Sequence, residues 1–124
     1  MKRKVLQPAG TRAIGPYSPG VVAGSFLFTS GQIPLGPSGE LLEGDIRAAT
    51  RQCLENVRGV LRAGGADLEN VVKVTVFLID LCDFSAMNEV YGSFFPDSPP
   101  ARTCVQVGAL PKGARIEIEA VALL

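Results

Sequence analysis

No histidine occurs among the 124 residues. Its absence removes every Ser-His-Asp and Cys-His nucleophilic arrangement, together with the commonest general base near neutral pH. Acid–base chemistry must come from carboxylates, arginine, lysine, tyrosine, serine, cysteine or the backbone. Net charge is absent too, because 12 Lys plus Arg balance 12 Asp plus Glu. Nucleic-acid binders show a basic surplus or stripe. Here the basic cluster is only Lys2, Arg3 and Lys4, so no nucleic-acid partner is expected. Cysteine is scarce: Cys53, Cys82 and Cys104 are odd in number, far apart and form no CxxC. They read as reduced thiols of a cytoplasmic protein, not as a disulfide frame or a zinc site. No apolar h-region follows the basic start, and no apolar run approaches the ~20 residues needed to span a bilayer. Neither a signal peptide nor a membrane partner is expected.

What is present suits one folded domain over residues 1–124, with 47% hydrophobic and 19% charged residues. Gly15-Pro16-Tyr17-Ser18-Pro19-Gly20 favours turns and extended chain. Residues 21–23 and 25–30 read as a hairpin with Gly24 at the turn. Asp45 is a suitable N-cap for a helix to about Ala63, ended by Gly64-Gly65. Ile46, Ala49, Cys53, Val57, Val60 and Leu61 lie on one face of that helix, with Arg47, Arg51, Glu55 and Arg58 on the other. Asp83 is expected to cap a second helix to about Phe95, with Phe84, Met87, Val90, Tyr91 and Phe94 as its apolar stripe. Residues 71–80 form the strongest strand, and 101–107 and 114–124 two more, expected to pair as a hairpin across Gly108–Gly113.

The resulting order, β-β-β-α-β-α-β-β, is an α+β layout: a mixed sheet with two helices packed on one face. In the central strand Val72, Val74, Val76 and Leu78 alternate with Val71, Lys73, Thr75 and Phe77. The helices are expected to cover the first set. The second would face water or a partner subunit, and an open face bearing Val71, Phe77 and Ile79 is the kind of apolar patch that marks an interface.

Several stretches resemble the RidA/YjgF family of imine deaminases. They are Ala13-Ile14-Gly15-Pro16-Tyr17, Thr29-Ser30-Gly31-Gln32-Ile33-Pro34, Asn88 with Val90-Tyr91, and Pro100-Ala101-Arg102-Thr103-Cys104-Val105. Leu110-Pro111 and Ile116-Glu117-Ile118-Glu119-Ala120 complete the set, and the similarity covers nearly the whole chain. The resemblance implies a chorismate-mutase-like fold with a six-stranded sheet, and a homotrimer with an active site in each cleft between neighbouring subunits. It implies hydrolysis of 2-imino acids, such as 2-iminopropanoate and 2-iminobutanoate, to 2-keto acids, without metal or cofactor. Arg102 corresponds to the residue that binds the substrate carboxylate, and Glu117 to the acid near the attacking water. Tyr17, Ser30, Asn88, Tyr91 and the backbone of Cys104 correspond to pocket-lining groups. The segment 96–100 is short for the family, which bears on the rim of the cleft.

These residue types suit the chemistry. A planar guanidinium grips a carboxylate through two parallel hydrogen bonds and stays charged. Glu117 and Glu119 lie two apart on a strand and share a face, where like charge raises a pKa and favours proton transfer. Spacing alone does not choose between them; the family resemblance selects Glu117. Cys104 and Ser30 lack an activating histidine and are read as packing or hydrogen-bonding groups. Two other classes stay open. One is a non-catalytic trimer binding a carboxylate or keto acid, and the other is an RNA-directed translation inhibitor, which zero net charge disfavours.

Overall fold

The computed structural model describes residues 3–8 and 15–124. Lys2, Ala13 and Ile14 lie outside the described residues. The strands and helices are β1 (Arg3–Leu6), β2 (Gly20–Ala23), β3 (Phe26–Thr29), α1 (Ile46–Ala63), β4 (Val71–Leu78), α2 (Phe84–Phe94), β5 (Ala101–Gln106) and β6 (Ile116–Leu123). This is the expected order. They build one six-stranded sheet in the order β1-β2-β3-β6-β4-β5, in which β4 and β5 run parallel and every other neighbouring pair antiparallel.

Local chemistry accounts for the first half. A two-residue turn joins β2 to β3, with Ala23 opposite Phe26 and Gly24 at φ +60°, a conformation glycine adopts at no steric cost. The Asp45 carboxylate accepts a 3.0 Å hydrogen bond from the Arg47 N–H and starts α1. At its other end the Ala66 N–H bonds the Leu61 carbonyl and the Gly65 N–H bonds the Arg62 carbonyl, with Gly65 at φ +82°. This is the paired closure of a Schellman motif. The apolar face expected for α1 is buried throughout. Among the described residues no helix is long and apolar enough to cross a membrane.

Three expectations change in the second half. The hairpin between β5 and β6 does not form. Helix α2 carries the chain across so that β5 runs parallel to β4, while β6 inserts between β3 and β4. Burial explains the choice: Ile116, Ile118, Ala120 and Ala122 of β6 are buried and need a neighbour on each side, whereas Ala101, Thr103, Val105 and Gln106 of β5 are exposed and suit an edge. Asp83 makes no side-chain cap bond to α2. Its backbone is already near-helical, at φ −83° and ψ −2°, and its carboxylate takes two 2.9 Å hydrogen bonds from Nη2 of Arg115. A cap requires extended backbone, and the charged pair ties the start of α2 to that of β6 instead. Finally, Val71 is buried and Val72 exposed, the reverse of the expected alternation. A register shift between Val71 and Lys73 inserts one residue and flips the parity at the strand's start. From Val74 on, the alternation is as expected, with Val74, Val76 and Leu78 buried.

The β3–β6 seam holds another irregularity. Phe28 lies opposite Val121, and Gln32 opposite Ile118, so four steps on one side match three on the other. The Thr29 hydroxyl takes up the slack by accepting a 3.0 Å bond from the buried Ala120 N–H. Thr29→Val preserves shape but orphans that N–H, and should lower unfolding free energy by about 1–3 kcal/mol in urea titration.

The helices leave the opposite face of the sheet open. Phe26, Phe28, Val105 and Leu123 are exposed there, and Phe77 is half-buried. The apolar patch expected from the central strand is present, carried more by β3, β5 and β6 than by Val71.

Candidate functional site

The expected site residues gather in two groups, one on each face of the sheet. On the open face Tyr17, Ser30, Gly31, Pro111, Glu117 and Glu119 line a cleft of about 480 Å³. The loop that brings Tyr17 there is tied down repeatedly. The Tyr17 N–H bonds the Gly15 carbonyl at 2.9 Å, and the Ser30 N–H bonds the Pro19 carbonyl at 2.8 Å. The Ser30 hydroxyl donates to the Ser18 carbonyl at 2.6 Å, so its proton serves the loop. Just beyond, Gln32 and Ile118 exchange two backbone hydrogen bonds of 2.8 and 3.0 Å and fix the segment after β3 against β6. Glu117 stands opposite Phe77, and Glu119 opposite Thr75. Burial first, and the neighbouring Glu119 second, raise the pKa of Glu117 above the usual carboxylate value.

A raised carboxylate pKa means the folded state holds its proton more tightly than the unfolded chain. Stability is therefore lost as pH rises through the interval between the unfolded and the folded pKa. Glu117→Gln should raise Tm at pH 7 and lose that advantage once the pH falls below the unfolded value. A melting series across pH checks both limbs.

The second group lies on the helix-covered face. Arg102 stands opposite Val74 and Cys104 opposite Val76, so both side chains share the side of the buried valines. The Arg102 Nη1 donates to Asn88 Oδ1 at 2.7 Å and approaches Met87 Sδ at 3.9 Å. Its guanidinium carbon lies 4.7 Å from the Tyr91 ring centroid and 5.5 Å from that of Phe84. Phe84, Asn88 and Tyr91 sit at i, i+4 and i+7, so one face of α2 presents all three. Among the described residues no ion pair involves Arg102. Its charge is held by neutral and aromatic groups and is not cancelled. The Tyr91 hydroxyl is buried and has no hydrogen-bond partner among the described residues, so Tyr91 meets Arg102 with its ring. Burial raises the thiol pKa of Cys104 against a smaller opposing pull from Arg102, which keeps it a protonated thiol. Cys53 is buried against the Ile116 carbonyl and is raised further.

One chain therefore brings Tyr17, Ser30 and Glu117 together, and Arg102, Asn88, Tyr91 and Cys104 together, but separates the two groups by the thickness of the sheet. Sequence reasoning missed Phe84 and Met87 as partners of Arg102, placing them only in the apolar stripe of α2. The helical spacing of Phe84, Asn88 and Tyr91 was the available signal. It also missed Gly31 and Pro111 as walls of the cleft. Among the described residues, no three His, Cys, Asp or Glu side chains converge as metal ligands.

A family model described as Endoribonuclease L-PSP matches residues 8–124. The chain is 50% identical over 123 residues to a RutC family protein of Pyrococcus horikoshii, covering 98% of each. It is 47% identical to a 2-iminobutanoate/2-iminopropanoate deaminase of Homo sapiens, covering 98% of this chain and 90% of that protein. Its fold superposes on the crystal structure of Escherichia coli TdcF with bound serine at a TM-score of 0.92, with 44% identity and 98% of each chain covered.

Proposed function

Because this chain belongs to the Endoribonuclease L-PSP family, the RidA/YjgF group with deaminase-named members, we propose that it is a cofactor-independent deaminase hydrolysing 2-imino acids such as 2-iminopropanoate and 2-iminobutanoate to 2-keto acids and ammonia. The observation that carries this reading is the state of Arg102. It is a guanidinium oriented by Asn88, Tyr91 and Phe84, with no acid paired to it among the described residues. Such a group is ready for an incoming carboxylate. Serine, the molecule bound by TdcF, carries an α-carboxylate of that kind.

The chemistry needs little else. A protonated 2-imino acid has an electrophilic carbon beside its carboxylate. Arg102 fixes the carboxylate and so the plane of the C=N bond. Glu117, made more basic by burial and by Glu119, accepts a proton as water adds to that carbon. Glu117 then returns that proton to the carbinolamine nitrogen; ammonia departs as the hydroxyl proton passes back to Glu117, and a keto group remains. One water is consumed, and no electron is transferred.

In this reading the active unit is a chorismate-mutase-like homotrimer. The half-site with Glu117 on the open face of one chain meets the half-site with Arg102 at the edge strand of its neighbour. The apolar open face and the edge position of β5 both suit that contact.

The test generates imine in place, from alanine and an amino-acid oxidase, with semicarbazide trapping what remains. Added protein should speed keto-acid release and suppress the semicarbazone. Unchanged trapping at any protein concentration would sink the proposal. A non-catalytic carboxylate binder is distinguished by Glu117→Gln, which under the deaminase reading abolishes turnover while keto-acid binding survives.

A further inference from the structure

Gly31 lies in the wall of the cleft, and its backbone does not explain why it is glycine. The glycines with left-handed backbone among the described residues are Gly24, Gly39, Gly44, Gly65 and Gly113; Gly31 is not one of them. What distinguishes it is space. A Cβ built on Gly31 would lie 2.7 Å from Cδ of Glu117 and 3.0 Å from its Cγ, and would overlap the carboxylate oxygen Oε2. The three atoms nearest to it all belong to that side chain. The backbone at this point is held by the two hydrogen bonds between Gln32 and Ile118, so it cannot easily retreat. We propose that Gly31 is a positioning residue for Glu117: the volume of its missing side chain is where the carboxylate is seated, against the wall of the cleft.

The inference rests on the reading of Glu117 as the group that activates water, and it adds the element that holds it in place. The contacts limit the damage from substitution. The three atoms nearest an alanine Cβ at Gly31 are the outer part of one flexible side chain, so the fold should survive while the carboxylate swings outward. Leaving its partly buried seat removes the main cause of its raised pKa. The titratable groups around it are Glu119 beside it on β6, Tyr17 across the cleft and the thiol of Cys53, whose own pKa is raised in part by Glu117. None of them changes in the variant.

The experiment compares wild type, Gly31→Ala, Glu117→Asp and the double variant as intact oligomers. Carboxyl ¹³C NMR, assigned with Glu117→Gln, follows the titration of Glu117, and imine turnover gives kcat and KM. In Gly31→Ala the Glu117 titration should move down toward the ordinary glutamate value. Its kcat should fall about 10- to 100-fold with KM little changed, since a displacement of about 1 Å of a proton-transfer group has effects of that size. Aspartate is one methylene shorter and withdraws the terminal oxygen, the atom nearest the new Cβ. Gly31→Ala should therefore cost much less in the Glu117→Asp background than in wild type. A titration that stays in place in Gly31→Ala would overturn the proposal, as would equal costs in the two backgrounds. If wild type proves inert toward imines while the titration still moves, the seat stands and the deaminase reading falls.

Discussion

Replacing Arg102 by alanine should lower kcat/KM for 2-iminopropanoate by about 10²- to 10³-fold, the equivalent of ~3–4 kcal/mol of lost transition-state stabilisation. The size follows from the chemistry of the anchor. Arg102 makes no ion pair among the described residues, so its charge is available to an incoming carboxylate. A two-point, charge-assisted grip on a carboxylate fixes both position and plane, and the plane decides whether water meets the iminium carbon at a productive angle. Arg102→Lys separates the two contributions. It keeps the positive charge and should recover most of the binding, but it offers a point and not a fork. We expect KM within about tenfold of wild type and a kcat still well below it. Asn88→Ala should act in the same direction more weakly, because it releases Nη1 without removing the charge. Steady-state assays of the three variants check the ranking. Equal rates for Arg102→Ala and wild type would remove the mechanism.

The sequence made the elements legible because local rules govern them. Asp45, Gly64-Gly65 and the 3.6-residue stripe of α1 each act within a few residues of chain, and each appears where expected. Long-range pairing was not legible in the same way. Whether β6 pairs with β5 or slips between β3 and β4 depends on how many flanks its buried residues need covered, and that is a property of the whole sheet. Nor was the role of Asp83: an acid before a helix reads as a cap until a distant arginine, Arg115, competes for it. The site shows the same division. The motifs named Arg102, Glu117, Tyr17, Ser30, Asn88, Tyr91 and Cys104, and strand parity correctly put Arg102 with Cys104 and Glu117 with Glu119. Parity within a strand says nothing about which face one strand's set shares with another's. Only the register, with Arg102 beside buried Val74 and Glu117 beside half-buried Phe77, shows that the proposed anchor and base lie on opposite sides of the sheet.

That separation has a quantitative consequence for mixed oligomers. If each active site takes Arg102 from one chain and Glu117 from its neighbour, Arg102→Ala and Glu117→Gln homo-oligomers should both be nearly inactive, yet mixing their subunits should restore turnover. In a closed ring of head-to-tail contacts, a site works when its arginine donor is the Glu117→Gln chain and its glutamate donor is the Arg102→Ala chain. At equal mixing about one site in four meets both conditions, so about a quarter of wild-type activity should return. Recovery should follow f(1 − f), where f is the fraction of one variant, and peak at the midpoint. A mixture of wild type with the double variant has a different shape. There both groups must come from wild-type chains, and activity should fall as the square of the wild-type fraction. Were both groups supplied by one chain, the first mixture would stay inactive at every ratio and the second would fall linearly. Co-expression of differently tagged chains, with the mixed species separated before assay, distinguishes the two geometries without knowledge of the preferred imine. It also bears on the fold, because a single chain holds the guanidinium and the carboxylate on opposite faces of its sheet, and in the proposed reading a second copy presenting its β5 edge to the open apolar face brings them to one substrate.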